Sequence, residues 1–129
     1  KSNKVNNNRC SNDNFTLTQK SDLFDEIDDW CKENENDKAR CPCCQRILRF
    51  KNTHAGHITS VKNGGTNNIK NGLAICNHCN NSDTRNIVDM MNKEWGKNHF
   101  NTKRCKKILI ALNKDYSYTE QEYQELIHS

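Results

Sequence analysis

Apolar positions are sparse along this chain, and their spacing changes from one stretch to the next. Residues 1–16 are polar, Asn-rich and without period, which predicts a flexible arm. From Ser21 a helical stripe begins. Leu23, Ile27, Trp30 and Asn34 recur at intervals of three and four, with Phe24 and Cys31 beside them. The spacing predicts a helix over 21–35, capped by Ser21 or Thr18, with Asp22, Asp25 and Glu26 favoured by the helix dipole. Asp28 and Asp29 read as its solvated face.

Runs at 46–50 and 54–61 then read as short strands, Asn63-Gly64-Gly65 as a turn needing positive φ, and 71–75 as a returning strand. Asn77 is the expected cap of a helix with the face Ile87, Met90, Met91 and Trp95, stopped by Gly96. A helix over 102–113 is expected to bury Ile108, Leu109, Ala111 and Leu112, and one over 119–127 to pack through Tyr123, Leu126 and Ile127. The predicted class is α+β. Residues 17–129 read as a single domain with a core at 41–96 and helices on either side, 21–35 and 102–127.

Composition changes the picture in one respect. Only 33% of the 129 residues are hydrophobic and the mean hydropathy is −1.08, so a large core is excluded and a staple is expected. No apolar run approaches membrane-spanning length, and no secretory pattern is present. An intracellular location, cytoplasm or nucleus, is expected ahead of secretion. The chain begins at Lys1, as a fragment, a processed chain or a trimmed one does.

Charge is divided. Residues 1–40 are net −2, residues 41–107 net +9, and residues 108–129 net −3, within a total of +4. The basic stretch suits a polyphosphate partner or is a solvated face. Lys103, Arg104, Lys106 and Lys107 crowd the start of the 102–113 helix, where cations oppose the dipole. They are therefore candidate nucleic-acid contacts.

Eight cysteines suit a disulfide scaffold or a metal site. Cys41 and Cys44, then Cys76 and Cys79, form two C-x2-C pairs, the frame of a closed tetrahedral zinc site. Disulfides, pairing through Cys43, or a mixed site in which His54 and His57 join one cysteine pair are the alternatives. Cys10, Cys31, Cys43 and Cys105 are left over, as free buried thiols or as two disulfides. His57, Asn71 and Asn80 lie between and just after the knuckles.

Together these parts resemble the HNH (ββα-metal) nucleases over residues 41–95. The shared parts are Cys41-Pro-Cys-Cys44, Thr53-His54-Ala55-Gly56-His57-Ile58, Asn63-Gly64-Gly65, Asn71-Gly72-Leu73-Ala74-Ile75-Cys76 and Asn77-His78-Cys79-Asn80. The order His57, Asn71, Asn80 is similar to a His-Asn-Asn variant of that signature. The resemblance implies a zinc-stapled ββα-metal module and a metal-dependent endonuclease that leaves 5′-phosphate and 3′-hydroxyl ends on DNA, with RNA as a further substrate class. It makes His57 the general base, a role suited to a side chain that exchanges a proton near neutral pH. It makes Asn71 a brace between the strands that orients His57 by a hydrogen bond, and Asn80 a ligand of catalytic Mg²⁺ or Mn²⁺.

This chain departs from the family at Gly56, where relatives commonly carry a metal-ligating Asp or His. His54, two residues earlier on the same strand face, is the substitute ligand. Two other readings remain: an HNH fold that binds nucleic acid without cutting, and a zinc-stabilised protein-interaction module using the acidic helices.

Overall fold

The computed structural model describes residues 15–80 and 86–128. Helix α1 spans Leu17–Glu35 and buries Leu23, Ile27 and Cys31, one residue per turn. It starts earlier than the apolar stripe predicts because Thr16, not Ser21 or Thr18, supplies the cap. The Thr16 hydroxyl accepts from the Gln19 amide at 3.1 Å, and the Gln19 carboxamide accepts from the Thr16 amide at 2.9 Å. Phe15 and Thr16 are thus part of the fold, while residues 1–14 of the expected arm, with Cys10, lie outside the described residues.

The sheet is a two-stranded antiparallel hairpin, β1 (Thr53–His57) and β2 (Gly72–Cys76), in register from Thr53↔Cys76 to His57↔Gly72. Every residue of β2 is buried between its neighbours. The expected strand at 46–50 does not form. Ile47 makes a single bridge to Arg40, and residues 50–52 turn as a 3-10 helix. Between the strands, Gly64 takes φ +94°, and a Cβ on Gly65 would fall 1.9 Å from the Thr59 carbonyl oxygen. The turn therefore needs both glycines.

The helix expected from 77 to 96 is broken. Helix α2 is Asn77–Asn80, α3 is Ile87–Asn92 and α4 is Glu94–His99, with residues 81–85 outside the described ones. The Asn86 carboxamide starts α3 by accepting from the Asp89 amide at 2.8 Å. Gly96 does not stop the helix. It lies inside α4, where a Cβ would meet the Met90 carbonyl oxygen at 1.6 Å, so its role is to let α4 fold back against α3.

Helix α5 (Thr102–Ala111), capped by Asn101, buries Arg104, Cys105, Ile108 and Leu109. Leu112 is half-buried and Ala111 exposed. In α6 (Glu120–Ile127) Leu126 is buried but Ile127 is 51% exposed, so the expected packing stripe is narrower than predicted. Lys114 fastens the end of α5 to the hairpin side: its buried ammonium donates to Glu26 at 2.7 Å and to the Ile69 carbonyl at 2.9 Å. Among the described residues no helix is long and apolar enough to cross a membrane.

Candidate functional site

The first knuckle is a tight turn closed by Gln45, whose amide reaches the Cys41 carbonyl at 3.0 Å and whose φ is +68°. The second knuckle is the junction of β2 and α2, which carries Cys76 and Cys79. All four ligand sulfurs lie within 4.8 Å of one another. Cys41 and Cys79 are 3.8 Å apart and Cys44 and Cys76 3.5 Å. Four sulfurs bound at about 2.3 Å to one tetrahedral Zn²⁺ stand about 3.8 Å from each other. The cluster is therefore suited to zinc.

Its electrostatics agree. Hydrogen bonds from Cys43 and the other knuckle thiols hold Cys41 far below the ordinary thiol range, while bonding to Cys41 and its neighbours pushes Cys76 and Cys79 above it. Cys44 is lowered too, to about 6: its bond to Cys41 raises it, but those to Cys76 and Cys79 outweigh that. The Cys76 amide also donates to the Cys41 sulfur at 3.4 Å. Among the described residues no disulfide forms, and Cys31, Cys43 and Cys105 are buried free thiols.

His57 ends β1 and is half-buried. Its Nε2 lies 2.8 Å from the Asn67 Oδ1, and its ring packs on Phe15 with centroids 4.6 Å apart. A carboxamide oxygen only accepts, so in this bond Nε2 is the donor. Asn67 is itself placed by α1, since Gln19 donates to its backbone carbonyl at 2.9 Å.

Among the described residues Asn71 makes no hydrogen bond to His57, unlike the orienting bond expected of it. Its carboxamide is buried and makes three bonds to the inter-strand loop: from the Thr59 amide at 2.9 Å, to the Thr59 carbonyl at 2.9 Å and to the Thr66 carbonyl at 2.8 Å. Its effect on His57 passes through the backbone, where Ile58 donates to the Asn71 carbonyl at 2.9 Å. Asn67 takes the orienting bond instead. Neither Asn67 nor Phe15 stood out in the sequence, because each acts through a tertiary contact that no local spacing reveals.

Asn80 is exposed at the end of α2, one residue past Cys79, and has no hydrogen bond to His57 or His54 among the described residues. His54 is exposed on β1 opposite Ile75. Partial burial, and then the Lys20 ammonium, lowers its pKa. The missing side chain at Gly56 is accounted for by packing: a Cβ there would meet Ile75 Cδ1 at 2.8 Å and Ile87 Cδ1 at 3.4 Å. The backbone at Gly56 is not in the left-handed region.

The basic cluster of α5 divides. Arg104 is 5% exposed and is held by both Glu35 oxygens at 2.8 Å, the Cys41 carbonyl at 2.8 Å and the Cys31 sulfur at 3.4 Å. Burial works against its charge, but the Glu35 carboxylate more than offsets this and raises its pKa, while Arg104 lowers that of Glu35. Arg104 thus belongs to the packing of the first knuckle, against the expectation that it meets a partner. Lys106 pairs with Glu122 at 3.0 Å, leaving Lys103 exposed and Lys107 half-exposed.

Residues 41–86 match the family model of the HNH endonuclease. Neither curated proteins nor solved structures give a match to the chain. The matched segment begins at the first zinc-suited cysteine and contains the hairpin, both knuckles and His57. Over residues 41–86 the chain is thus similar to the HNH endonuclease family, and the matched segment carries a β-hairpin, a following helix and a four-cysteine cluster suited to a metal.

Proposed function

We propose that this protein is a zinc-stapled, metal-dependent endonuclease that hydrolyses phosphodiester bonds in DNA, with His57 as general base. The observation that carries the reading is the His57–Asn67 bond. It fixes the tautomer that leaves Nδ1 able to take a proton from water, at the end of a strand inside the matched segment. Phe15 restricts the ring from one side, and Asn71 holds the loop ends from which His57 and Asn67 project. Cys41, Cys44, Cys76 and Cys79 would hold the structural Zn²⁺.

Asn80 and His54 would hold a catalytic Mg²⁺ or Mn²⁺. Both are exposed, on elements that pack together, and a carboxamide oxygen is a hard donor. Two neutral donors leave most of the coordination shell to water and substrate oxygens, an arrangement Mg²⁺ accepts. When bound, such a cation polarises the phosphoryl oxygen and neutralises the leaving oxygen. The products carry 5′-phosphate and 3′-hydroxyl ends. The reduced buried thiols suit an intracellular compartment, cytoplasm or nucleus.

A second reading, nucleic-acid binding without cleavage, is favoured by Gly56. Ile75 and Ile87 fill the space where a ligating carboxylate would stand. Supercoiled plasmid with Mg²⁺ or Mn²⁺ separates the two. Nicking by the protein, reduced about 10²–10⁴-fold in His57→Ala with zinc content and circular dichroism retained, is the expected result. A salt-sensitive gel shift without nicking establishes the second reading. Repeating the assay on RNA sets the substrate class.

A further inference from the structure

Above the first knuckle, away from His57, lies a cavity of about 280 Å³ lined by Cys44, Arg46, His78, His99 and Phe100. Three separate segments build it: the knuckle turn, α2 and the end of α4. The third is pinned to the first, because the Asn101 amide donates to the Cys43 carbonyl at 2.9 Å and the Asn101 carboxamide to Gln45 at 3.3 Å. The lining is therefore set by the same turn that sets the zinc-suited cluster. We propose that this cavity is a phosphate-binding subsite for a nucleic-acid strand, with Arg46, His78 and His99 as its donors.

The chemistry of the lining decides the sign of the ligand. Among the described residues it contains a guanidinium, two imidazoles and the Cys44 sulfur, and no carboxylate. A metal ion is excluded as occupant because Arg46 cannot ligate it and repels it by charge. The Cys44 sulfur beside Arg46 favours the charged guanidinium and raises its pKa. A guanidinium has five N–H donors in a planar fork, enough to meet an oxyanion as well. The cavity falls just below the usual range for small-molecule pockets, about 300–1,000 Å³, and has room for a phosphate with its hydration. Phe100 is 8% exposed, so it forms a wall rather than a platform for a base.

The place of His78 separates this cavity from the proposed hydrolytic centre. His78 and Asn80 share α2 but are two residues apart. At about 100° per residue they point to nearly opposite sides of the helix. A phosphate held by His78 is thus a second anchoring point for the strand. The identification of the anion as a nucleic-acid phosphate rests on the nuclease reading; the binding of phosphate to the cavity does not.

The test uses the full zinc-loaded chain and inorganic phosphate, followed by imidazole ¹H–¹⁵N resonances. The expected result is a saturable shift of His78 and His99 with His54 and His57 unmoved. Phosphate affinity should fall about tenfold or more in Arg46→Gln and in His99→Gln with zinc content unchanged, the loss expected for a hydrogen bond to a charged group. Arg46→Lys serves if Arg46→Gln loses zinc. No saturable shift, or affinity indifferent to both Arg46 and His99, overturns the subsite. Short oligonucleotides with and without a 5′-terminal phosphate, bound to His57→Ala protein without added Mg²⁺, identify the source. Preference for the terminal phosphate marks a strand end, and equal affinity marks a backbone diester. If inorganic phosphate shifts His99 but neither oligonucleotide does, the strand assignment is overturned. Plasmid nicking by the unmodified protein is read separately, so failure of the nuclease reading leaves these outcomes distinct.

Discussion

The two ends of the β1–β2 hairpin are held by different chemistry. At the Thr53↔Cys76 end, four sulfurs converge from two knuckles into a shell that a single ion completes. At the His57↔Gly72 end, order comes from neutral groups: Asn67 on the imidazole, Asn71 on the loop, and the Phe15 ring. Four residue steps of strand separate the ends, about 13 Å at the usual rise. A zinc ion at one end therefore cannot activate a water at the other. The first end holds the fold together, and the second carries His57.

Removing the metal tests that division most severely. Zinc binding to small modules is folding free energy on the order of 10 kcal/mol, larger than the core of this sparsely apolar chain replaces. Chelation should abolish the native circular dichroism, and Cys41→Ala should not accumulate as folded protein. Folded, active protein without zinc by elemental analysis would show that the hairpin holds itself.

The next largest effects are structural, at positions that the sequence suggested for function. Gly56→Asp would supply the carboxylate expected of the HNH motif, yet its side chain would enter between Ile75 and Ile87. Overpacking costs about 1–3 kcal/mol, and an unpaired carboxylate adds to it. The mutant should melt earlier and gain no affinity for Mg²⁺. A lowered metal requirement for plasmid nicking, with unchanged melting, would mean the isoleucines yield and a carboxylate at this position ligates the cation. Arg104→Gln should likewise destabilise by about 1–3 kcal/mol, since Glu35 loses its partner. Thermal melting checks it.

These cases show what the sequence could carry. The cysteine frame was legible because metal ligands obey local spacing, and the hairpin because Asn63-Gly64-Gly65 demands a turn. Gly96 was misread because its reason is a neighbour in space, the Met90 carbonyl, and not the end of a helix. Arg104 looked like a surface cation because Glu35, its partner, lies 69 residues away. Asn67 was hidden among many asparagines, and only its 2.8 Å approach to His57 distinguishes it.

At the His57 end the sharpest probe is Asn67→Asp. A carboxylate on Nε2 stabilises the imidazolium and raises the histidine pKa by about one unit or more. A general base must be deprotonated, so the acid limb of the nicking profile should move to higher pH by the same amount. The plateau rate should change less than in His57→Ala. An acid limb that stays in place would show either that His57 is not the base or that Asn67 does not hold it under reaction conditions. Nicking by His57→Ala at the parental rate decides for the first.

The smallest expected effect lies on α5, outside both ends of the hairpin. With Arg104 turned inward and Lys106 on Glu122, only Lys103 and Lys107 of the original four cations remain uncommitted. Each phosphate contact contributes about 0.9 to the slope of log affinity against log salt on duplex DNA. Lys103→Gln with Lys107→Gln should therefore flatten the slope by up to about 1.8, leaving zinc content, melting and the pH profile of nicking unchanged. Lys106→Gln should flatten it by less, because Glu122 already neutralises that ammonium. An unchanged slope in the double mutant would confine the cationic footprint to the module at 41–86 and make α5 a purely structural brace. A larger change in Lys106→Gln than in the double mutant would mean that DNA displaces Glu122 and that α6 screens a phosphate contact in the free protein.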